Sequence, residues 1–447
     1  MGILMRPVYY KFKAVIGRLK NFRNFKKTRN AIPSQGIAPT LESKKGNDYF
    51  TGKSFLLLTH ELSYTGAPLL LMETAQMLMK EGAVVKLVNP YRGRKWWSLR
   101  IKRLAVARDH HVPILPFRLV FRQLETADFI IANTVSKQVM AVVDELLEQV
   151  PKVAEKLVIW VHEIDVERYS PSTNNIKRAA LIIFDSHACK DAWESCLGPL
   201  KNAVVVHPAL SPQMLHKLSQ DRSEFPHVPT SRNAKNTYYA SRDEIRAVLD
   251  VDDNDFLVLC LGTVENRKGQ ALLLDTLSKI NSECERPIKL CLVGFKNARK
   301  RRHFIKNMSD TERAILAPER AYVWQSEIAG FYIAADAFVM NSQGENNGRG
   351  ECFGRVTVEA MAAGSIALGT SVGGTKEIIK HEVNGYLFPA GVEGQAILAD
   401  QVKYLSGNSE VVEALSADAR KYAVQVFDQK IFLKKFEDLF AKSFHND

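Results

Sequence analysis

The chain has 447 residues, 46% of them hydrophobic and 25% charged, with a formal net charge of +12. That length is too great for one ordinary core and implies two or three domains. No apolar run reaches the ~18 residues that a membrane span needs. The six cysteines (Cys189, Cys196, Cys260, Cys284, Cys291 and Cys352) show no CxxC pair or other metal spacing. Several lie inside apolar strands, so they suit reduced core thiols of a cytosolic protein and not a disulfide framework.

Charge concentrates at the start. Residues 1–41 hold nine Lys or Arg and no acid, which leaves only +3 for the rest. Met5, Val8, Phe12, Val15, Leu19 and Phe22 recur at spacings of three and four among these cations. Such a stripe predicts a helix lying on an anionic membrane surface through residues 1–30, with Pro7 in its first turn. A helix docked on the protein's own body, or a basic leader, is the alternative. No signal peptide is expected, because charge interrupts the segment throughout. Arg6 stands where N-myristoylation wants Ser or Thr.

A polar linker occupies residues 32–48, and from there short apolar strands alternate with helical patterns. The first series predicts strands at 54–59, 84–89, 128–133, 157–161, 180–185 and 203–207. They are β-branched and apolar, as strands buried on both faces are. Just after the second, YRGRKWWSLRIKR (91–103) mixes Arg94 and Lys95 with Trp96 and Trp97. That mixture suits a lipid headgroup, a diphosphate-bearing acceptor or nucleic acid; a solvated helix with one Trp in the core is the other reading. The polar, proline-bearing stretch 219–241 marks a connection. A second series predicts strands starting at 256 and over 288–293, 321–324, 337–341, 366–370 and 385–388, before helical patterns close the chain. The architecture is α/β: two Rossmann-like doubly wound domains facing one another across a cleft, with ligands beyond the carboxyl ends of the strands.

The segment ECFGRVTVEAMAAG, 351–364, carries the most information. Glu351 and Glu359 lie eight residues apart, Gly354 precedes a helical run, and Gly364 ends it. Eight helical positions span at most ~12 Å. This spacing suits one acid beside a sugar ring and another beside a nucleotide ribose, with helix-start N–H groups holding a diphosphate between them. A solvated acidic helix face is the plain alternative. No Asp-x-Asp lies at a strand end and no His/Cys/carboxylate cluster has ligand spacing, so no metal is expected.

This segment resembles the Glu-x7-Glu signature of retaining, nucleotide-sugar-dependent glycosyltransferases of the GT-B fold, family 4. GTSVGGTKEIIKHEVNGYLF (369–388) resembles the family's segment just beyond that signature. LCLGTVENRKGQALLL (259–274), THELSYTGAPLLLMETA (59–75) and VIWVHE (158–163) are similar to its phosphate loop, acceptor-domain loop and histidine-bearing strand end. The five matches fall in the family's order.

The resemblance implies an N-terminal acceptor domain over 49–218, a connection over 219–250, and a nucleotide-sugar donor domain over 251–428. A last helix, 429–447, would return to the first domain, and the tail and linker occupy 1–48. Glu351 would contact the transferred sugar and Glu359 the ribose. His162 would bond the sugar, Arg267 and Lys268 would hold the diphosphate, and Gly66, Ala67, Gly354 and Gly374 would shape the donor pocket. Glycine-rich 343–350, longer than the family's usual loop, would form a flap over the sugar. Thr263 follows Gly262 where the family often has arginine, which leaves open whether Arg267 supplies that charge. The expected partners are a nucleotide sugar, a glycan or lipid-linked acceptor in polysaccharide biosynthesis, and an anionic membrane, with no cofactor and no nucleic acid. The expected location is the cytoplasm, peripheral on the membrane's inner face. A nucleotide-sugar epimerase of similar fold, or an inactive glycosyltransferase-like protein that binds membrane or nucleic acid, is the alternative.

Overall fold

The computed structural model describes residues 49–444 except 63–65, 90–106, 108, 171–172, 174, 220–241, 296–297, 318–324 and 345–349. The basic tail, Arg94 to Trp97, the expected strand at 321–324, most of the connection and the centre of the glycine-rich loop therefore lie outside the described residues.

Among the described residues two parallel sheets form the frame. The first has seven strands: β1 (Ser54–Thr59), β2 (Val84–Asn89), β3 (Ile114–Pro116), β4 (Phe129–Asn133), β5 (Leu157–Val161), β6 (Leu181–Phe184) and β7 (Ala203–Val205), in the order β3-β2-β1-β4-β5-β6-β7. The second has five: β8 (Phe256–Leu261), β9 (Ile288–Val293), β10 (Ala337–Met340), β11 (Ile366–Thr370) and β12 (Gly385–Phe388), ordered β12-β11-β10-β8-β9. Among the described strands only β3 goes unread in the sequence. It is three residues long and only partly buried, too short to show a period.

Both faces of each sheet are covered, which explains the unbroken apolar strands. Leu56 and Leu58 enter one core and Phe55 and Leu57 the other, as period-two alternation dictates. In the second sheet Leu257 and Leu259 face one way, Phe256, Val258 and Cys260 the other. The helices that matter for the site are α1 (Gly66–Lys80), α2 (His187–Leu197), α3 (Gln270–Ile280), α4 (Arg355–Ala363) and α5 (Gln429–Phe444).

The chain crosses between the halves twice, and this moves two expected boundaries. Leu210, Met214 and Leu218, expected in the first domain, pack in the core of the second, as does Leu249 of the expected connection. Their side chains follow the larger apolar surface available to them, which no local pattern reveals. The last crossing comes after Phe427, whose carbonyl accepts from Leu210 N at 2.9 Å. Then α5 lays Phe432, Phe436 and Phe440 on the first sheet against Phe50, Phe55, Phe129 and Trp160. Burying each such ring stabilises by roughly 1.5–3 kcal/mol.

All six cysteines are unpaired. Burial pushes the thiols of Cys260 and Cys291 up to about 12. Among the described residues no helix is long and apolar enough to cross a membrane.

Candidate active site

A cavity of about 790 Å³ lies between the two halves, at the carboxyl ends of their strands. His162, Glu163, Arg168 and Tyr169 line it from the first half, Arg267 and Glu351 from the second. This is where facing doubly wound sheets should bind a ligand.

On the second half, Glu351 does not ride on α4 but precedes it, paired with Gly373 through an isolated bridge. Its carbonyl accepts from Gly374 N at 2.8 Å. A Cβ on Gly374 would stand 2.3 Å from the Cys352 carbonyl oxygen, so only glycine lets the two loops meet here. Gly354, with φ 96°, takes the left-handed conformation that turns the chain into α4. Three donors converge on Glu351 Oε1: Arg267 Nη1 at 2.9 Å, Ser342 Oγ at 2.9 Å, and Lys268 Nζ in close contact. Burial opposes ionisation of this carboxyl, but Lys268 and Arg267 outweigh it and hold it at about 2. The two cations expected on a diphosphate are thus brought together, and in this structure both pair with Glu351.

Glu359, one turn into α4, is in other company. It is 5% exposed, and Tyr332 OH donates to its Oε2 at 2.9 Å. Arg355 Nε lies 3.0 Å from its Oε1, and the same guanidinium pairs with Glu73 of α1 at 2.7 Å. Burial raises the Glu359 carboxyl above the usual range, with Arg355 and Tyr332 opposing.

His162 ends β5, and both its ring nitrogens are engaged. Nδ1 meets Asp185 Oδ2 at 2.6 Å, and Nε2 meets Asn133 Oδ1 at 2.7 Å. Asn133 Nδ2 donates to the Ala67 carbonyl at 3.1 Å, which fixes the amide with its oxygen toward the ring. Both ring nitrogens thus face acceptors, an arrangement that favours a positive charge on the ring. Burial disfavours that charge, but Asp185 overcomes it and raises the pKa. Asp185 also accepts from Trp160 Nε1 at 2.8 Å. His162 lines the cavity, and in this arrangement both of its ring nitrogens are engaged by protein groups. Gly66 is exposed at the start of α1, and Ala67 enters the network only through its carbonyl.

Sequence reasoning missed Glu73, Asn133, Glu163, Asp185, Ser342 and Arg355. Glu163 accepts from Thr134 Oγ1 in close contact and from Val135 N at 3.2 Å, clamping the end of β4, where Thr134 sits at φ 105°. Two signals were available. Glu73 interrupts the apolar run LLLMETA, and Arg355 puts a cation at a helix start, where the dipole disfavours it.

The halves also touch at Glu377, whose carboxylate accepts from His187 N at 2.9 Å and Ala188 N at 2.8 Å at the start of α2. His207 Nε2 lies 2.9 Å from the same carboxylate. His187, His207 and Glu377 thus offer three atoms within 4.8 Å, but two amides already satisfy Glu377.

Two facing Rossmann-like domains with a polar cleft between them define the GT-B class. Residues 241–422 match the family model described as glycosyl transferases group 1, and residues 51–207 match glycosyl-transferase family 4. Together they cover about three quarters of the sequence, and the chain belongs to the GT-B glycosyltransferases. Among solved structures, Anabaena Alr3699/HepE in complex with UDP-glucose is similar at TM-score 0.66 and 21% identity, covering 87% of this chain and 99% of that one. Sucrose-phosphate synthase from Thermosynechococcus elongatus is similar at TM-score 0.62 and 15% identity, covering 88% and 99%. At these identities the likeness concerns the fold. Among curated relatives, the lipopolysaccharide 1,2-N-acetylglucosaminetransferase of Salmonella typhimurium is 28% identical over 178 residues, 39% of this chain and 45% of that protein. The N-acetyl-alpha-D-glucosaminyl L-malate synthase of Bacillus anthracis is 27% identical over 143 residues, 32% and 34%. The chain spans about a third to a half of the length of the first relatives that it matches.

Proposed function

We propose that the chain is a retaining glycosyltransferase that moves a sugar from a nucleoside diphosphate to a hydroxyl of a glycan or lipid-linked acceptor, without a bound metal. The observation that carries this reading is the convergence of Arg267, Lys268 and Ser342 on Glu351 at the rim of the cleft. An anionic diphosphate entering there would find two cations already in place, released from one carboxylate to neutralise the leaving group. Glu351 would then face the sugar, its negative charge offsetting positive charge at the anomeric carbon. Glu359 would accept the ribose hydroxyls. In this reading the bond from the anomeric carbon to the diphosphate oxygen breaks, and the acceptor oxygen bonds to the same face. The acceptor proton passes to the departing phosphate oxygen, so no protein nucleophile is needed.

Support for a nucleotide donor comes from the HepE complexes with UDP and with UDP-glucose. Support for a glycan or lipid-linked acceptor comes from the relative named as a lipopolysaccharide transferase. The basic stripe in residues 1–30 supports work on the cytoplasmic face of an anionic membrane, where each Lys or Arg near the surface adds about 1 kcal/mol.

The test is a thermal-shift screen against uridine, guanosine and adenosine diphosphate sugars, since a ligand of the folded state raises its stability. The anomeric configuration of the product made from the stabilising donor is then determined, before and after exhaustive chelation. Retention with activity persisting after chelation is expected. Inversion, or complete loss restored only by Mg²⁺ or Mn²⁺, would overturn it.

A further inference from the structure

Arg355 is a largely buried charge outside the phosphate loop, and the proposed reaction gives it no task. It opens α4 and stands N-terminal to Glu359 at i, i+4, the weaker orientation for such a pair. Its terminal nitrogens meet both oxygens of Glu73, at 2.7 and 2.9 Å, while Nε faces Glu359 at 3.0 Å. Glu73 belongs to the first half and is 3% exposed. One buried guanidinium thus divides its edges between a carboxyl of each half. Losing one partner would leave a buried charge short of compensation.

We infer that Arg355 is a positioning residue that couples closure of the two halves to nucleotide binding. While Glu73 holds two of its nitrogens, the guanidinium is only half committed to Glu359, and that carboxyl can accept ribose hydroxyls. When the halves part, Glu73 withdraws and Arg355 turns wholly to Glu359, competing with the ribose. Closure therefore raises nucleotide affinity, and nucleotide favours closure by the same factor. This rests on the reading that Glu359 binds the ribose.

The experiment measures binding of UDP, with ADP and GDP in parallel, to the full-length protein by calorimetry. It also measures the radius of gyration of the unliganded protein by X-ray scattering. Glu73→Gln is expected to weaken the nucleotide that binds by about 5–50-fold. It should also expand the unliganded protein and raise donor KM more than it lowers kcat, with partial rescue by Glu73→Asp. A merely structural role would lower Tm without splitting KM from kcat. If Glu73→Gln does not fold, Arg355→Lys, which keeps the charge but loses the two-edged grip, must show the same weakening. Unchanged affinity in these variants while Glu359→Gln binds more weakly overturns the coupling and leaves the ribose reading standing. Unchanged affinity in Glu359→Gln overturns the ribose reading and the coupling with it. Failure of all three nucleotides to bind the wild-type protein overturns the donor reading itself.

Discussion

Glu351 and Glu359 are eight residues apart in one segment, yet their electrical surroundings are opposite. Around Glu351 two cations converge, Arg267 being shared with the more exposed Glu265, and the Glu351 carboxyl is held at about 2. Around Glu359 two acids share one guanidinium, and burial raises its carboxyl. Local charge count, not depth, separates them, because both are largely screened from water. The difference matches the tasks proposed for them: a fixed negative charge beside the sugar, and a hydrogen-bond acceptor beside the ribose.

The comparison can be broken most forcefully at Arg355. Arg355→Met leaves Glu73 and Glu359 buried together without their cation and should destabilise by about 3–5 kcal/mol. Urea unfolding of the variant checks this. A loss below ~1 kcal/mol would mean that the two acids tolerate one another.

Acid should act chiefly on the other site. The Glu351 carboxyl has a folded-state pKa of about 2, below its ordinary 4.5. Its contribution is therefore fully present above pH 4.5 and is lost as pH falls toward 2. The loss is on the order of 3 kcal/mol, at about 1.36 kcal/mol per unit. Unfolding profiles of wild type and Glu351→Gln should converge across that window; parallel profiles would place the acid-sensitive group elsewhere. His162 has the reverse sign. Its raised pKa makes its contribution complete below pH ~6.5 and lost as pH rises through the folded value.

Turnover gives the third contrast. Glu351→Gln keeps the shape and removes the charge, and should lower kcat on the order of 10²-fold or more while the protein stays folded. Near-normal turnover in a folded variant would remove Glu351 from the chemistry. The smallest effect is expected for Glu359→Gln, which keeps the side chain's shape and leaves Arg355 its pair with Glu73. Its stability should change by less than ~1 kcal/mol, and donor KM should rise more than kcat falls. A kcat loss as large as that of Glu351→Gln would erase the distinction between the two acids.

Much of this frame was legible in the residues. Strands such as FIIAN and LVIWV are apolar throughout because both faces are covered, and Gly354 and Gly364 mark the ends of α4 as expected. Glu351, Arg267 and Lys268 are singled out by the family resemblance, since local spacing alone fits a solvated face as well. What stayed hidden depends on contacts between distant segments. Glu73 and Arg355 are 282 residues apart, and neither carries a pattern naming the other. The engagement of both nitrogens of His162 needs Asn133 and Asp185, each at the end of a different strand. The crossing at Leu210 to Leu218 is set by surface area created only after folding.

The return of α5 to the first sheet has a consequence for how the molecule is made. The last strand of that sheet ends at Val205, and α5 does not begin until Gln429. At a ribosomal rate of roughly 5–20 residues per second, some 10–45 s separate their emergence. Through that interval the face formed by Phe50, Phe55, Phe129 and Trp160 is already synthesised but lacks its cover. The nascent first half therefore shows an aromatic surface to every neighbour until the final sixteen-residue helix arrives. Premature termination anywhere before α5 would release a chain with that sticky face uncovered. The first sheet is thus synthesised well before it can be finished.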